Sequence, residues 1–371
     1  SEKDAEKLNT LSDFNKEQVN KITMDAVQNA ENTSEDSQLI ANVVSVVNDE
    51  LINTMIEEVG KTSIEEKQSL SAKVLKAIVD TEPSKIETIS EENKDTIIKQ
   101  TIESAKDQKE GNIQDEEDLS DFVAEIIVNT DAATASKVIE EINDIETDTN
   151  LSLEVMSGIS NKDQNKLNDL SDEIKDEIEQ LAEDAVQKAE NTLEDSEKII
   201  DIVSGANTDL LNLVVEEVGD VSIDEKQSLS AKVLKGIVET EPDKMAELNE
   251  DNKNDLIESS VETARKQKEG EIVDDNENFT SSLDYTKVIT DIVTSSDSDT
   301  ATKVLEQVDN IETETDLKLD FLSELDDKAV DILSSVSSQN DEIISNLVSD
   351  AVDKVNDENN KEKLSKILNE S

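Results

Sequence analysis

The side chains able to do chemistry in this chain are carboxylates, and they gather in loops: Asp115-Glu116-Glu117-Asp118, Asp274-Asp275 with Glu277, and Asp297 with Asp299. Hard cations such as calcium need about six to eight oxygens converging from a shaped loop. None of the three clusters has the spacing of a helix-loop-helix calcium loop or its central glycine. Diffuse counterion binding is therefore the expectation. Asp115, Glu116, Asp118, Asp274 and Asp275 are kept as cation candidates because the segments at 115 and 274 occupy equivalent loops. No other chemistry is assembled. The chain has no His and no Cys, which removes imidazole acid–base work, thiolates, disulfides and the usual zinc sites. Its many serines lack the histidine of a nucleophilic triad. The seven glycines stand singly, so no phosphate-cradling loop exists. Paired carboxylates are so frequent that no acid–base dyad can be singled out. A non-enzymatic protein without a cofactor is expected.

What positions these carboxylates is a repeated frame. Ile64 to Pro83 reads IEEKQSLSAKVLKAIVDTEP, and Ile223 to Pro242 reads IDEKQSLSAKVLKGIVETEP, 159 residues later. The two blocks differ only where Glu65, Ala77 and Asp80 become Asp224, Gly236 and Glu239. Self-similarity at so long a spacing is the mark of a tandem array. The markers Glu57-Glu58-Val59, Glu140-Glu141-Ile142, Glu216-Glu217-Val218 and Glu306-Gln307-Val308 split each repeat into two unequal halves. A third copy opens near Leu333, with Ala351 to Asn356 standing 166 residues after the corresponding Ala185 segment. The domains expected are 1–166, 167–332, and 333–371 as a C-terminal cap.

Apolar residues recur at helical spacing in every segment. Helices are expected over Glu35–Val47, Leu51–Val59, Lys94–Lys109, Leu119–Val128 and Ala135–Ile142. Gly60 is read as a helix terminator, and Ser63 with Glu66 as a capping box opening the next helix. Glu82-Pro83 should stop that helix, and Gly111 and Gly270 should end the later ones. No strand pattern is present. The fold class is all-α: tandem helical repeats, as an α-solenoid or a chain of small helical bundles, extended. The apolar fraction is 34% with 1% aromatic residues, so the core must be thin and built of Ile, Leu, Val and Ala.

The net charge of −58 sets the partners. It repels nucleic-acid phosphates and anionic lipid, attracts cations and basic surfaces, and strains the fold by self-repulsion at low salt. Lys67, Lys73 and Lys76 in the repeated block could form a basic binding ridge; the plainer reading is that they neutralise neighbouring acids. No run approaches the length needed to span a bilayer. The stretch Phe321 to Val336 resembles the short acidic helical repeats in the cytoplasmic N-terminal domain of MgtE-type magnesium transporters, which implies helix there; no magnesium function is carried over from it. Because the chain begins at Ser1, a processed or trimmed segment of a longer protein is expected. The function expected is a structural repeat segment serving as a spacer, surface fibre or adhesin-like stalk, at the cell surface or outside it. Its partners would be other copies of the repeat or neighbouring subunits, basic protein surfaces and diffuse cations, with no nucleic acid and no membrane insertion. The alternative is an α-solenoid scaffold that binds a basic protein or peptide.

Overall fold

A computed structural model describes residues 13–371 except 66–68, 148, 225–227, 273–282, 314, 326–337, 354–359, 362, 364 and 366–371. Of the described residues 81% are helical, and none of them lies in a strand. It divides into two compact units, Ser1–Lys188 and Ala189–Ser371.

The first unit contains α1 (Asp13–Asn29), α2 (Ser34–Val44), α3 (Asp49–Glu65), α4 (Leu70–Thr81), a 3-10 turn at Pro83–Thr88, α5 (Glu91–Lys109), α6 (Leu119–Asn129), α7 (Ala132–Asp144), α8 (Leu151–Lys162), α9 (Lys166–Glu173) and α10 (Lys175–Lys188). Helices pack on the helix two further along, so they form two rows. One row runs α2, α4, α6, α8; the other runs α1, α3, α5, α7; α10 closes on both α7 and α8. The second unit holds α11 (Leu193–Gly205), α12 (Thr208–Asp224), α13 (Leu229–Thr240), the short α14 (Lys244–Glu247), α15 (Glu250–Glu269), α16 (Tyr285–Ser295), α17 (Ser298–Asn310), α18 (Leu317–Glu324) and α19 (Ser338–Asp353). Its rows are α11, α13, α16, α18 and α12, α15, α17, with α19 closing on α17 and α18. Residues 167–188, which by sequence open the second copy, thus pack within the first unit. Among the described residues no helix is long and apolar enough to cross a membrane.

Polar side chains set the boundaries. Thr33 and Thr192 accept the N–H of Asp36 and Asp195, and Asp131 and Asp297 accept that of Thr134 and Thr300, satisfying donors that a helix N-terminus leaves orphaned. Pro83 opens the 3-10 turn, where its fixed φ costs nothing. Gly111 and Gly270 take φ of +75° and +74° and end α5 and α15 as expected. The N–H groups of Asn112 and Glu271 then reach back to Asp107 O and Lys266 O.

Gly60 and Ser63 do something else. The helix does not stop at Gly60: α3 runs unbroken to Glu65. Ser63 is buried inside it, and its hydroxyl accepts the N–H of Ser71 at 2.9 Å and shares a 2.7 Å bond with the Ser71 hydroxyl. A serine that tethers the next helix in space reads the same in sequence as one that caps its own. Glu66, the other half of the expected box, lies outside the described residues.

The core is aliphatic, as its composition requires. Ile52, Ile56, Leu70, Leu75, Ile97 and Ile102 have at most 1% exposure in the first unit, and Tyr285 and Phe321 are fully buried in the second. One of the three differences between the near-identical blocks has a packing cause. A Cβ on Gly236 would lie 1.8 Å from Ile200 Cδ1. The residues 159 positions earlier are Ala77 and Ala41. The larger Ile200 is therefore accommodated by the methyl that Gly236 lacks. In a double-mutant cycle measured by urea unfolding, Gly236→Ala and Ile200→Ala should couple by about 1 kcal/mol, the double variant being less destabilised than the sum of the singles. Additive effects would show that the two positions do not share space.

Candidate functional site

A concavity lies in the second unit, a cleft of about 930 Å³ between α12, α15 and the end of α17. Glu216 and Asp220 enter it from α12, and Asp251, Asp255, Glu258 and Glu262 from α15; Lys266 is its one cation. Spacing on α15 puts these acids on one stripe, since residues three and four apart share a helix face. Among the described residues Glu216, Asp220, Asp251, Asp255 and Glu258 have no counter-ion from the protein. Glu262 is the exception. Arg265 grips it with both Nε at 2.8 Å and Nη2 at 2.5 Å, and this hydrogen bonding holds the Glu262 carboxyl below the usual range. Arg265 also pairs with Glu269, and the two acids push its guanidinium pKa up, so it stays charged throughout.

The origin of the cleft is visible 159 positions earlier. In the first unit Gln100 spans from α5 to α3. Its amide donates to Gly60 O at 3.0 Å and its Oε1 accepts the Ser71 hydroxyl at 2.7 Å. A Cβ on Gly60 would press on Thr96 Cγ2 at 3.3 Å. In the second unit Ser259 replaces Gln100 and Asp255 replaces Thr96. A Cβ on Gly219 would meet nothing within 4 Å. Truncating one glutamine opens the floor. The charge changes with it: Lys61 and Lys99 of the first unit become Asp220 and Glu258.

Of the loop acids expected as cation candidates, Asp115, Asp118, Asp297 and Asp299 have protein partners. Asp115, whose side chain is 5% exposed, binds Lys73 Nζ at 2.9 Å and accepts the Ser69 hydroxyl at 2.5 Å and Glu117 N–H at 3.2 Å. Burial opposes its charge, but Ser69, Lys73 and Glu117 outweigh that and hold its carboxyl below the usual aspartate range. Lys73 also donates to Asn32 O at 3.2 Å. Because Ser69 gives its proton to Asp115, Asn32 turns its amide to donate to the Ser69 oxygen at 2.6 Å. Asp118 caps α6 through Ser120 N–H, and Glu116 is exposed. Asp297 caps α17, and Asp299 pairs with Lys303 and Lys253. Asp274, Asp275 and Glu277 lie outside the described residues, as does Lys67. Among the described residues no group of three acids comes together closely enough to hold a metal ion.

Lys76, like Lys73, serves its neighbours rather than a ridge. It binds Asp80 at 2.7 Å and Glu125 at 3.3 Å and lies 5.2 Å from the centre of the Phe122 ring. Sequence reading passed over the cleft acids because each looks like an ordinary solvated helix face. The signal that could have found them is the set of differences between the stretches of sequence matched at a spacing of 159, where two lysines and a glutamine stand opposite two acids and a serine. No family model matches the chain, and no curated protein matches it.

Proposed function

We propose that this chain is a non-enzymatic scaffold of tandem helical repeats that holds a lysine- or arginine-rich segment of a partner protein in the cleft of its second unit. The observation that carries the reading is the cleft itself: six carboxylates around an open floor, five of them without a protein counter-ion among the described residues. A concave acidic surface concentrates field lines and draws basic ligands at high rate. The same field disfavours nucleic acid. It favours the scaffold over the spacer or stalk, which has no use for a cleft of distinct composition.

The tandem-array reading of the fold is supported by the two closing helices. By sequence, α10 and α19 correspond at a spacing of 166. One closes on α7 and α8, the other on the corresponding α17 and α18. Ser152 of α8 donates to Asp184 of α10 at 2.6 Å, and at the same two positions Lys318 of α18 binds Asp350 of α19 at 2.6 Å. The helical spacing predicts an apolar face on α19 of Ile343, Ile344, Leu347, Val348, Ala351 and Val355; Leu347 and Ala351 are 0% exposed and Ile343 8%, Ile344 and Val348 are half-buried, and Val355 lies outside the described residues.

The test is binding of a lysine-rich peptide of about a dozen residues, followed by fluorescence anisotropy at low and moderate salt. Asp220→Lys with Glu258→Lys writes the first unit's charges into the cleft and should weaken binding about tenfold or more. Glu35→Lys with Glu50→Lys makes the same change of net charge on exposed residues elsewhere and should stay within about twofold. Equal losses from both pairs would mean that the peptide answers only to overall charge, and the cleft would have no special role.

A further inference from the structure

The first described helix, α1, exposes a face whose two sequence counterparts are covered. At spacings of 159 and 166, Ile22 of α1 corresponds to Leu181 of α10 and Leu347 of α19. Leu181 and Leu347 are each 0% exposed, under the helix pairs α7–α8 and α17–α18. Ile22 is 68% exposed, the most of the exposed large apolar residues. Ala26 behaves alike, exposed where Ala185 and Ala351 are fully buried; Val19 is half-buried, as is Ile344, where Ile178 is fully buried. The opposite side of α1 is in order, with Val27 1% exposed where the helix packs on α3. A polar position repeats the pattern. Asp184 and Asp350 each take a donor from the covering pair, Ser152 or Lys318; among the described residues nothing does this for Asp25 at the same position.

We infer that the Val19–Ile22–Ala26 face of α1 is a docking surface for a preceding repeat unit of this same kind. Its occupant is a helix pair with the wording of α7–α8 or α17–α18. Such a pair presents an aliphatic ridge to Ile22 and a hydroxyl or ammonium to Asp25, as it does at the two places where this structure holds one. This rests on the array reading and is independent of the acidic cleft. A second copy of the chain cannot supply its own α17–α18 pair without giving up α19, which exchanges one bare face for another. The occupant is therefore a unit whose closing helix is α1 itself.

The sequence supplies the experiment. Ser1 stands 159 positions before Ser160, so fusing residues 1–159 ahead of Ser1 reproduces the native junction at 159 and 160. The original α1 then comes after an α7–α8 pair, while the added α1 remains terminal. In this longer chain Ile22→Asp at the internal position should lower the melting temperature by about 5 °C or more, because it buries a charge. The same substitution at the terminal position should move it by less than about 2 °C. In the unextended chain Ile22→Asp should likewise be nearly silent, while Leu181→Asp and Leu347→Asp are not. Silence at both positions of the longer chain overturns the inference, because the added unit would then not have docked. A large loss from Ile22→Asp in the unextended chain overturns it too, because the face would already be covered by the chain's own residues.

Discussion

Replacing Lys73 with methionine should lower the free energy of unfolding of the first unit by about 3 kcal/mol, the usual consequence of leaving one member of a buried ion pair alone. Methionine keeps the length and the apolar stem of the side chain, so packing is nearly conserved and the loss is electrostatic. Asp115 would remain with its side chain 5% exposed, still held by Ser69 and Glu117 N–H but without the ammonium 2.9 Å away. Lys73→Met combined with Asp115→Leu should recover most of the loss, since removing both charges also removes their desolvation cost. If the double variant is as unstable as the single, Asp115 is not what makes Lys73 necessary.

The pH dependence of that pair has a defined sign. The folded-state pKa of Asp115 lies below its ordinary value of 3.8. A depressed carboxyl contributes stability that is fully present above 3.8 and is lost as pH falls through the lower, folded value. In Lys73→Met the largest influence left on Asp115 is burial, which raises the pKa. The gap between parent and variant should therefore be widest near neutrality and narrow as the medium is acidified past the carboxylate range. Urea unfolding at several pH values measures it; a gap that stays constant with pH would remove Asp115 from the explanation.

The loop that contains Asp115 shows where sequence reading succeeds and where it stops. Its local grammar is legible in part: Gly111 ends α5 with a positive φ that only glycine adopts cheaply, whereas Asp118, kept in the sequence as a cation candidate, caps α6. The helical periods, the thin aliphatic core and the turn at Pro83 are legible for the same reason, because each depends on residues within a few positions of one another. The role of Asp115 depends on Lys73, 42 positions away, so a solitary acidic run gives no hint of it. Ser63 misleads in the same manner. Its hydroxyl has a choice between its own helix and Ser71, and only the approach of α4 decides it. The acidic cleft is an intermediate case. Gly219 and Ser259 are each ordinary, but set beside Gly60 and Gln100 they show that a side chain which bridged two helices is gone. Setting the two similar stretches of sequence side by side makes the difference readable, since Gln100 bridges α3 and α5 where Ser259 stands 159 positions later.

Glycine also sets how closely two helices approach, and here the largest steric effect is expected. Gly158 lies within α8, and a Cβ placed on it would come 2.8 Å from the Cβ of Ala124 on α6. In a helix interior Gly→Ala ordinarily stabilises by about 1 kcal/mol through backbone entropy. At this site the sign should reverse. Ala124 is 0% exposed and has no rotamer through which to yield, so relief must come from moving one helix away from the other. That movement loosens the contacts of Val123, Ile127, Val155 and Ile159, all 0% exposed. Overpacking of this kind costs about 1–3 kcal/mol, which exceeds the entropic gain, and Gly158→Leu should cost more again. The second unit lacks this small pair: the residues 166 positions on are Thr290 and Glu324, and α18 ends at Glu324. Exchanging the pair tests the cause. Gly158→Ala with Ala124→Gly keeps one methyl between the helices and one glycine in the row, and should return to within about 1 kcal/mol of the parent in urea unfolding. A stabilised Gly158→Ala variant would show that α6 and α8 have room to spare, and that the glycine serves some purpose other than close approach.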